Sequence, residues 1–302
     1  MKCQEKKPTC HTQCLPDGNI YFDFSRHLHC QRIDNDDHDG NGGTEVAEPK
    51  TIPLDWYVAK TGSDETGDGS QEKPFLTIQK GVDELGKLPL LMTRYNLHVG
   101  DGTYLENVEI SQRTFNLIGN VEQPQNVIVQ GVAKDNATTL FIDTAHLNIN
   151  GFTFKSHAEA ASFANTYTVT VWTNSDIRIS NCIFYSDNAS TLDLDVAGHS
   201  SCWVDNIVFE GPERAVVFTS HTQGHLVIGV GISIDGNTTV RGCLMNCYYS
   251  GSATVYELMT KTGTITGKQF YVHSLGQLSQ KANLPATTVA GTDDRSNGAF
   301  AV

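Results

Sequence analysis

Three segments in the middle of the chain repeat one pattern of apolar and polar positions. Each reads apolar-x-Ile/Val-x-Gly/Asn-apolar-x-Phe, and the segments cover residues 147–154, 177–184 and 202–209. Alternating apolar residues predict short strands that bury one side. The segments begin 30 and 25 residues apart, and a period of roughly 20–50 residues is typical of solenoids, propellers and repeat arrays.

One residue interrupts the alternation at the same place in every repeat, namely Gly151, Asn181 and Asn206. Gly and Asn adopt a left-handed backbone conformation at low cost. Each repeat is therefore predicted as a strand, a one-residue corner and a strand, and coils stacked about 4.8 Å apart form a parallel β-helix. A β-sandwich also contains many short strands, but it does not require the same corner residue in every unit.

The segment before the repeats predicts a cap for this solenoid. Residues 54–60 have a strand pattern, a Gly- and Asp-rich stretch follows, and Pro74 suits the start of a helix. Apolar residues then recur at helical spacing, at Phe75, Ile78, Val82 and Leu85. Because a solenoid exposes apolar side chains at its end, we expect this amphipathic helix to cover the N-terminal coil.

This entry segment also resembles a known family. The run Trp-Tyr-Val…Gly-Ser-Asp…Asp-Gly-Ser…Pro-Phe-x-Thr-Ile-Gln, between residues 56 and 79, resembles the entry segment of the pectate-lyase-like, single-stranded right-handed β-helix superfamily. The resemblance covers roughly residues 54–255 and implies an all-β, right-handed parallel β-helix, which we place at residues 54–258. At about 25 residues per turn, residues 97–255 predict roughly six or seven turns. Polysaccharide lyases, glycoside hydrolases and phage tailspikes share this fold, so the resemblance does not by itself define a function.

The rest of the chain divides into smaller segments. Residues 1–33 are rich in Cys and His and are predicted to form an N-terminal anchor module, and residues 34–53 form an acidic, Gly-rich linker. Residues 259–302 are predicted to form a small C-terminal trimerisation or tip segment. The run Leu-Pro-x-Thr-x-x-Ala-Gly-Thr at 284–292 resembles the C-terminal segments of bacteriophage virion appendages.

Four cysteines lie close together in the anchor module, at Cys3, Cys10, Cys14 and Cys30. Their spacing lacks the C-x-x-C pair that is common in zinc sites. We therefore expect disulfides, within or between chains, to stabilise a segment that has little core of its own. Zinc binding by these cysteines is the alternative, and no other metal or cofactor is predicted.

Charge and hydropathy limit the partners. The net charge of −13 argues against nucleic acid or an anionic membrane as a partner. The sequence holds no run of 18 apolar residues, so no membrane-spanning segment is predicted. The first residues are charged but are not followed by a hydrophobic region, and no signal peptide is predicted.

Candidate chemistry lies on one outer side of the predicted solenoid. Alternation places Thr170, Trp172, Asp193, Asp195 and His221 on the outside of successive coils. Two residues on one side of a strand lie about 6.5–7 Å apart, a distance that suits the paired carboxylates of glycosidases.

The sharper hypothesis makes Asp193 and Asp195 the catalytic pair of a glycan-cleaving enzyme. Trp172 would be the platform for a sugar ring, with Thr170 and His221 as further glycan contacts. The alternative is that the two carboxylates keep an exposed sheet from pairing with others, and that Trp172 lies in a trimer interface.

Two functions follow as expectations. The first is a bacteriophage virion structural protein, a homotrimeric β-helix tail spike, fibre or capsid decoration that binds host-surface polysaccharide. Residues 1–50 would join it to other virion proteins. The alternative is a polysaccharide depolymerase, either a glycoside hydrolase or a lyase, on the same β-helix. Pectate lyases of this fold use a calcium cluster of Asp residues and a catalytic Arg, and no matching cluster is evident beside Arg178 or Arg214.

Overall fold

The computed structural model of the protein describes residues 13–14, 20–21, 52–89, 94–132, 138–156, 166–293 and 299–301. The chain divides into two compact units, residues 1–51 and 52–302. In the first unit, strand β1 (Gln13–Cys14) pairs antiparallel with β2 (Ile20–Tyr21). The predicted anchor cysteines Cys3, Cys10 and Cys30 and the linker up to residue 51 lie outside the described residues, and of Cys14 only the backbone strand is described.

The second unit is a right-handed parallel β-helix of about seven turns, and every pair of neighbouring strands described in it is parallel. The elements, in chain order, are β3 (Asp55–Val58), α1 (Ile78–Leu85), β4 (Tyr95–Val99), β5 (Gly102–Leu105), β6 (Val108–Ser111), β7 (Thr114–Ile118), a 3₁₀ turn (Pro124–Asn126), β8 (Val127–Gln130), β9 (Thr138–Asp143), β10 (His146–Asn150), β11 (Thr153–Lys155), β12 (Thr166–Trp172), β13 (Asp176–Asp187), β14 (Thr191–Val196), β15 (Ser201–His221), β16 (His225–Ile228), β17 (Ser233–Ile234), β18 (Thr238–Tyr248), β19 (Ser252–Val255), β20 (Met259–Thr260), β21 (Ile265–Val272), β22 (Gln277–Gln280), β23 (Thr287–Val289), β24 (Thr292–Asp293) and β25 (Phe300–Ala301).

The strands form three faces around one apolar core. Face A contains β3, β4, β7, β10, β16, β19, β22 and β25, with the first parts of β13 and β15. Face B contains β5, β8, β11, β17 and β20, with the middle parts of β13 and β15. Face C contains β6, β9, β12, β14, β18, β21, β23 and β24, with the last part of β15.

The sequence repeats coincide with turns of the solenoid. Phe154 pairs with Phe184 across the ladder, and Phe184 pairs with Phe209. Their ring centroids lie 5.8 and 5.1 Å apart, and all three rings are buried. The repeat of the pattern therefore places one phenylalanine per coil into a continuous column inside the core.

The predicted corner residues lie between faces A and B. Gly151, Asn181 and Asn206 have φ values of +82°, +50° and +50°, and their neighbours Asn150, Ser180 and Asp205 pair directly from coil to coil. The left-handed backbone thus recurs on one line parallel to the solenoid axis.

A second row of left-handed residues, which the sequence analysis did not predict, lies between faces C and A. Five successive coils turn there through two consecutive residues with positive φ, at 173–174, 198–199, 222–223, 249–250 and 274–275. Three of these turns are followed by Gly224, Gly251 and Gly276. A Cβ atom at these glycines would lie 2.1–2.2 Å from a carbonyl oxygen of the preceding coil. Glycine is required there because the backbones of neighbouring coils approach closely.

Helix α1 covers the N-terminal coil, as predicted, but it begins at Ile78 rather than at Pro74. The backbone of Phe75 is hydrogen-bonded to Tyr57 and Ala59 at 2.9 Å, which holds residues 74–75 in an extended conformation. Thr77 then caps the helix and accepts a hydrogen bond from the Lys80 amide at 3.2 Å. The buried side of the helix contains Ile78, Val82 and Leu85.

The solenoid continues to the end of the described chain. Strands β20, β21, β22 and β25 pair with the coils before them. The boundary predicted at residue 258 is therefore not a break in the structure, and the described residues beyond it contribute further strands to faces A, B and C. Among the described residues, no helix has the length and apolar character needed to cross a membrane.

Candidate functional site

Four polar residues form a row across neighbouring coils of face C. Thr170 pairs with Asp195, Asp195 with Thr219, and Thr219 with Asn246. Their neighbours along each strand, such as Val171 of β12, are core residues, so the four side chains lie on the outer side. We call these four residues the polar row.

The polar row contains buried polar atoms that lack hydrogen-bond partners within the described part of the chain. They are Thr170 Oγ1, Asp195 Oδ1, Thr219 Oγ1 and Asn246 Oδ1. A buried hydroxyl or carbonyl without a partner costs about 1–3 kcal/mol. Thr170, Asp195 and Thr219 are themselves only 1–5% exposed. The four atoms therefore form a strip of unsatisfied polar groups just beneath the outer side of face C.

Asp195 is next to His221. The Asp195 Oδ1 and His221 Nε2 atoms are 3.2 Å apart, although the contact lacks hydrogen-bond alignment. The other ring nitrogen, His221 Nδ1, lies 2.9 Å from the Thr222 hydroxyl. The imidazole is therefore placed between a carboxylate and a hydroxyl.

Aromatic rings follow the polar row two residues further along the strands. His221 and Tyr248 stack with centroids 4.8 Å apart, and Tyr248 and His273 stack at 5.1 Å. Trp172 lies on the same outer side, 43% exposed, with its edge against Phe141. We call Trp172, His221, Tyr248 and His273 the aromatic row. Burial, followed by the charge of Asp195, raises the pKa of Tyr248 to about 12, so its hydroxyl remains a proton donor at neutral pH.

The prediction that Asp193 points outward is wrong. Its side chain is fully buried and is paired with Arg214, whose side chain is also fully buried. The ladder of β14 includes Leu192 and Leu194 but skips Asp193 on both sides, and Asp193 and Leu194 are both buried. Strict alternation fails at this interruption, and Asp193 is turned away from the outer surface.

The structure thus brings together part of the predicted site. Thr170, Asp195 and His221 lie on one outer surface, and Trp172 lies two coils from His221 on the same side. Asp193 is separated from them. No three His, Cys, Asp or Glu side chains cluster as metal ligands within the described ranges.

Tyr248 and His273 are not among the site residues predicted from the sequence. A signal was available, because these residues follow His221 by 27 and then 25 residues, which matches the repeat period. The apolar pattern becomes irregular after residue 209, and this irregularity obscures the repeat period in that part of the chain.

No protein-family model matches the chain, and no curated protein matches it. Among solved structures, the chain is similar to a pectin methylesterase from Aspergillus niger (13% identity, 82% of this chain and 87% of that chain, TM-score 0.50). It is also similar to the protein ybhc from Escherichia coli (15% identity, 84% and 79%, TM-score 0.50). A third structure, a pectin methylesterase in complex with a hexasaccharide, has 11% identity, 78% and 81% coverage and a TM-score of 0.50. At these identities the similarity shows the β-helix fold alone.

Proposed function

We propose that the protein binds a polysaccharide along the outer side of face C. The observation that carries this proposal is the polar row, in which four buried polar atoms just beneath the outer side of face C lack partners. A glycan that displaces the side chains covering these atoms supplies the missing hydrogen bonds. A glycan chain presents hydroxyl groups along its length, and each of them both donates and accepts hydrogen bonds. The aromatic row beside it supplies apolar contact for the C–H groups of the sugar rings, chiefly at the exposed Trp172.

The proposed ligand is a neutral glycan. Asp195 is the only charged residue of the polar row, and the whole chain carries a net charge of −13. A polyanionic chain is repelled by such a surface, whereas neutral hydroxyl groups donate to the carboxylate.

Binding without cleavage fits the arrangement of the carboxylates. A glycosidase places two carboxyl groups on either side of the bond that it cleaves. Asp193 is held inside the core by Arg214, so only Asp195 of the predicted pair lies in the polar row.

The test is binding to a panel of bacterial capsular and O-antigen polysaccharides, measured by biolayer interferometry. Thr170→Val and Thr219→Val remove only the hydroxyl groups of the polar row, and each is expected to weaken binding by about tenfold. Thr238→Val is the matched control, because Thr238 also has a buried, unpartnered hydroxyl but lies outside the polar row. Unchanged binding in both row variants overturns the proposal.

Cleavage of the glycan is a second candidate, favoured by the 3.2 Å contact of Asp195 with His221. A carboxylate beside an imidazole forms a general base. Release of reducing ends from the same panel tests this candidate. If the wild type releases reducing ends and Asp195→Asn does not, the protein is a depolymerase. If no glycan is cut, binding alone stands.

We also propose a biological setting from the sequence, namely a homotrimeric appendage of a bacteriophage virion that is anchored by residues 1–50. The support is the Cys-rich character of residues 1–33 and the resemblance of residues 284–292 to phage appendages. Light scattering of the purified full chain is expected to give about three times the 33.0 kDa chain mass. A mass equal to one chain contradicts the trimer.

A further inference from the structure

Face A carries a pair of exposed aromatic rings that are separate from the aromatic row. Trp203 of β15 is 41% exposed, and Tyr256, which follows β19, is 47% exposed. Their rings are nearly parallel, at 20°, with centroids 6.2 Å apart. Val227 of the coil between them is almost buried, at 8%. The two rings thus form one apolar area on an otherwise polar sheet surface.

Charged groups lie at the edge of this area. Arg178 Nη2 donates to Asp205 Oδ2 at 2.7 Å, and the guanidinium lies 6.0 Å from the centroid of Trp203. The Arg178 side chain is 60% exposed, so its remaining N–H groups are available to a ligand. We call Arg178, Trp203, Asp205 and Tyr256 the face A platform.

Asp205 is held in place from several sides. Burial raises its pKa, but hydrogen bonds from the Trp203 indole, from Arg178 and from the Val230 amide outweigh burial, and the pKa of Asp205 is lowered overall. The carboxylate is therefore ionised at neutral pH and is a strong acceptor for a hydroxyl group.

Gly229 provides the space for this arrangement. A Cβ atom on Gly229 would lie 2.0 Å from Asp205 Oδ1 and 2.9 Å from Trp203 Nε1. Any larger residue displaces the carboxylate and the indole from each other. Gly229, which directly follows β16, therefore lets the Trp203 and Asp205 side chains of β15 meet.

We propose that the face A platform is a second binding site, which takes one pyranose residue of a neutral glycan. The C–H side of the sugar lies against Trp203 and Tyr256, and adjacent hydroxyl groups donate to Asp205 and accept from Arg178. A neutral sugar is favoured over an acidic one, because the charge of Arg178 is already balanced by Asp205. This site goes beyond the proposed function, since it lies on a different face from the polar row. A long polysaccharide that reaches both sites binds more tightly than at either alone.

The experiment uses the full chain and three neutral probes, cellohexaose, maltohexaose and mannohexaose, with hexagalacturonate as the acidic comparison. Two-dimensional ¹H–¹⁵N spectra resolve the indole N–H signals of the three tryptophans, and Trp203→Phe assigns the signal of Trp203. We expect at least one neutral probe to shift the Trp203 signal in a saturable way. Gly229→Ala is expected to weaken the affinity for this probe, measured by titration of the Trp203 signal, by about tenfold.

Controls separate this proposal from binding at face C. Gly100→Ala is the matched control for Gly229→Ala, because a Cβ at Gly100 has no neighbour closer than 3.5 Å. Thr219→Val, in the polar row, is expected to leave the Trp203 signal and its affinity unchanged. If all three neutral probes leave the Trp203 signal in place, or if Gly229→Ala binds like wild type, the face A platform is not a sugar site. In that case, polysaccharide binding by wild type that is lost in Thr219→Val would still support the proposed site on face C.

Discussion

Arg214 and Asp193 form an ion pair in the core of the solenoid, with Nη1 and Oδ2 2.5 Å apart and both side chains completely buried. Arg214 also donates to the carbonyl of Glu210, and its guanidinium lies 5.9 Å from the ring centroid of Phe209. Arg214 Nε and Asp193 Oδ1 make no hydrogen bond among the described residues. The pair joins two successive coils, because Asp193 lies in β14 and Arg214 in β15.

Removing one member of this pair is expected to destabilise the fold strongly. Arg214→Met leaves a buried carboxylate without its cation and is expected to cost about 3–5 kcal/mol of unfolding free energy. The double variant Arg214→Met/Asp193→Leu removes both charges and is expected to recover most of the loss. Urea unfolding followed by circular dichroism measures both.

The matched control for this prediction is Arg241→Met, because Arg241 pairs with Glu213 while the two side chains are 63% and 29% exposed. An exposed ion pair contributes about 0–1 kcal/mol. Equal losses of unfolding free energy for Arg214→Met and Arg241→Met would show that the buried pair contributes no more than an exposed one.

The stability of the fold is expected to depend on pH through Asp193. Burial outweighs the effect of Arg214 and raises the pKa of Asp193 to about 6, whereas an unfolded chain has an Asp pKa of about 3.9. The folded state therefore binds more protons between these values, and the contribution of Asp193 to stability is lost as pH rises through 6.

The measurement compares the Tm of wild type and Asp193→Asn from pH 4 to pH 7. We expect the Tm of wild type, relative to Asp193→Asn, to fall as pH rises across this range. A constant difference between the two proteins contradicts the assignment.

The glycines that follow the turns between faces C and A are expected to resist substitution. Gly251→Ala places a Cβ 2.1 Å from the Ser220 carbonyl oxygen, and the resulting strain is expected to cost about 1–3 kcal/mol. Gly100→Ala, whose Cβ would have ordinary contacts, is expected to change stability by less than about 0.5 kcal/mol. The measurement is the Tm of the two variants by thermal unfolding. Equal Tm values would contradict the predicted clash between the new Cβ and the Ser220 carbonyl oxygen.

The start of helix α1 is expected to depend on Asp64. Its carboxylate accepts hydrogen bonds from the amides of Leu76 and Thr77 at 2.8 and 3.0 Å, and from the Thr77 hydroxyl at 2.8 Å. Asp64→Ala is expected to cost about 0.5–2 kcal/mol, as for the loss of a helix cap.

Amide hydrogen exchange measures the effect locally. Leu76 and Thr77 are expected to lose protection in Asp64→Ala. Asp83→Ala is the control, because among the described residues its side chain accepts one solvent-exposed hydrogen bond, from the Gln79 side chain at 2.9 Å. Equal protection in the two variants would exclude this capping role.

The fold was predictable from sequence because stacked coils require the same type of residue at equivalent positions. The phenylalanine at 154, 184 and 209 and the corner residue at 151, 181 and 206 recur at one position, so periodicity alone indicated a solenoid. The extent of the solenoid was not predictable. Beyond residue 258 the backbone pairing continues in parallel ladders, but the apolar pattern that revealed the earlier coils becomes weak.

The site was predictable only where alternation holds. Asp195 and His221 are neighbours because alternation is regular in the segments that contain them. Asp195 pairs with Thr219, and His221 lies two residues further along the same strand. Asp193 was misplaced because an interruption in the ladder is a feature of backbone geometry that sequence spacing does not encode. The contacts Arg214–Asp193 and Arg178–Asp205 join residues 21 and 27 positions apart. Such contacts can be predicted only if the number of residues in each coil is known. That number depends on the lengths of the connections between faces.

Coil length varies widely in this chain while the ladders remain aligned. On face A, Thr114 follows Tyr95 by 19 residues and His146 follows Thr114 by 32, yet β7 pairs directly with both neighbouring strands. All of the variation is accommodated in the connections. New peptide segments can therefore be inserted at these connections, as recognition loops or fluorescent tags, without altering the outer surfaces that we propose to contact sugar.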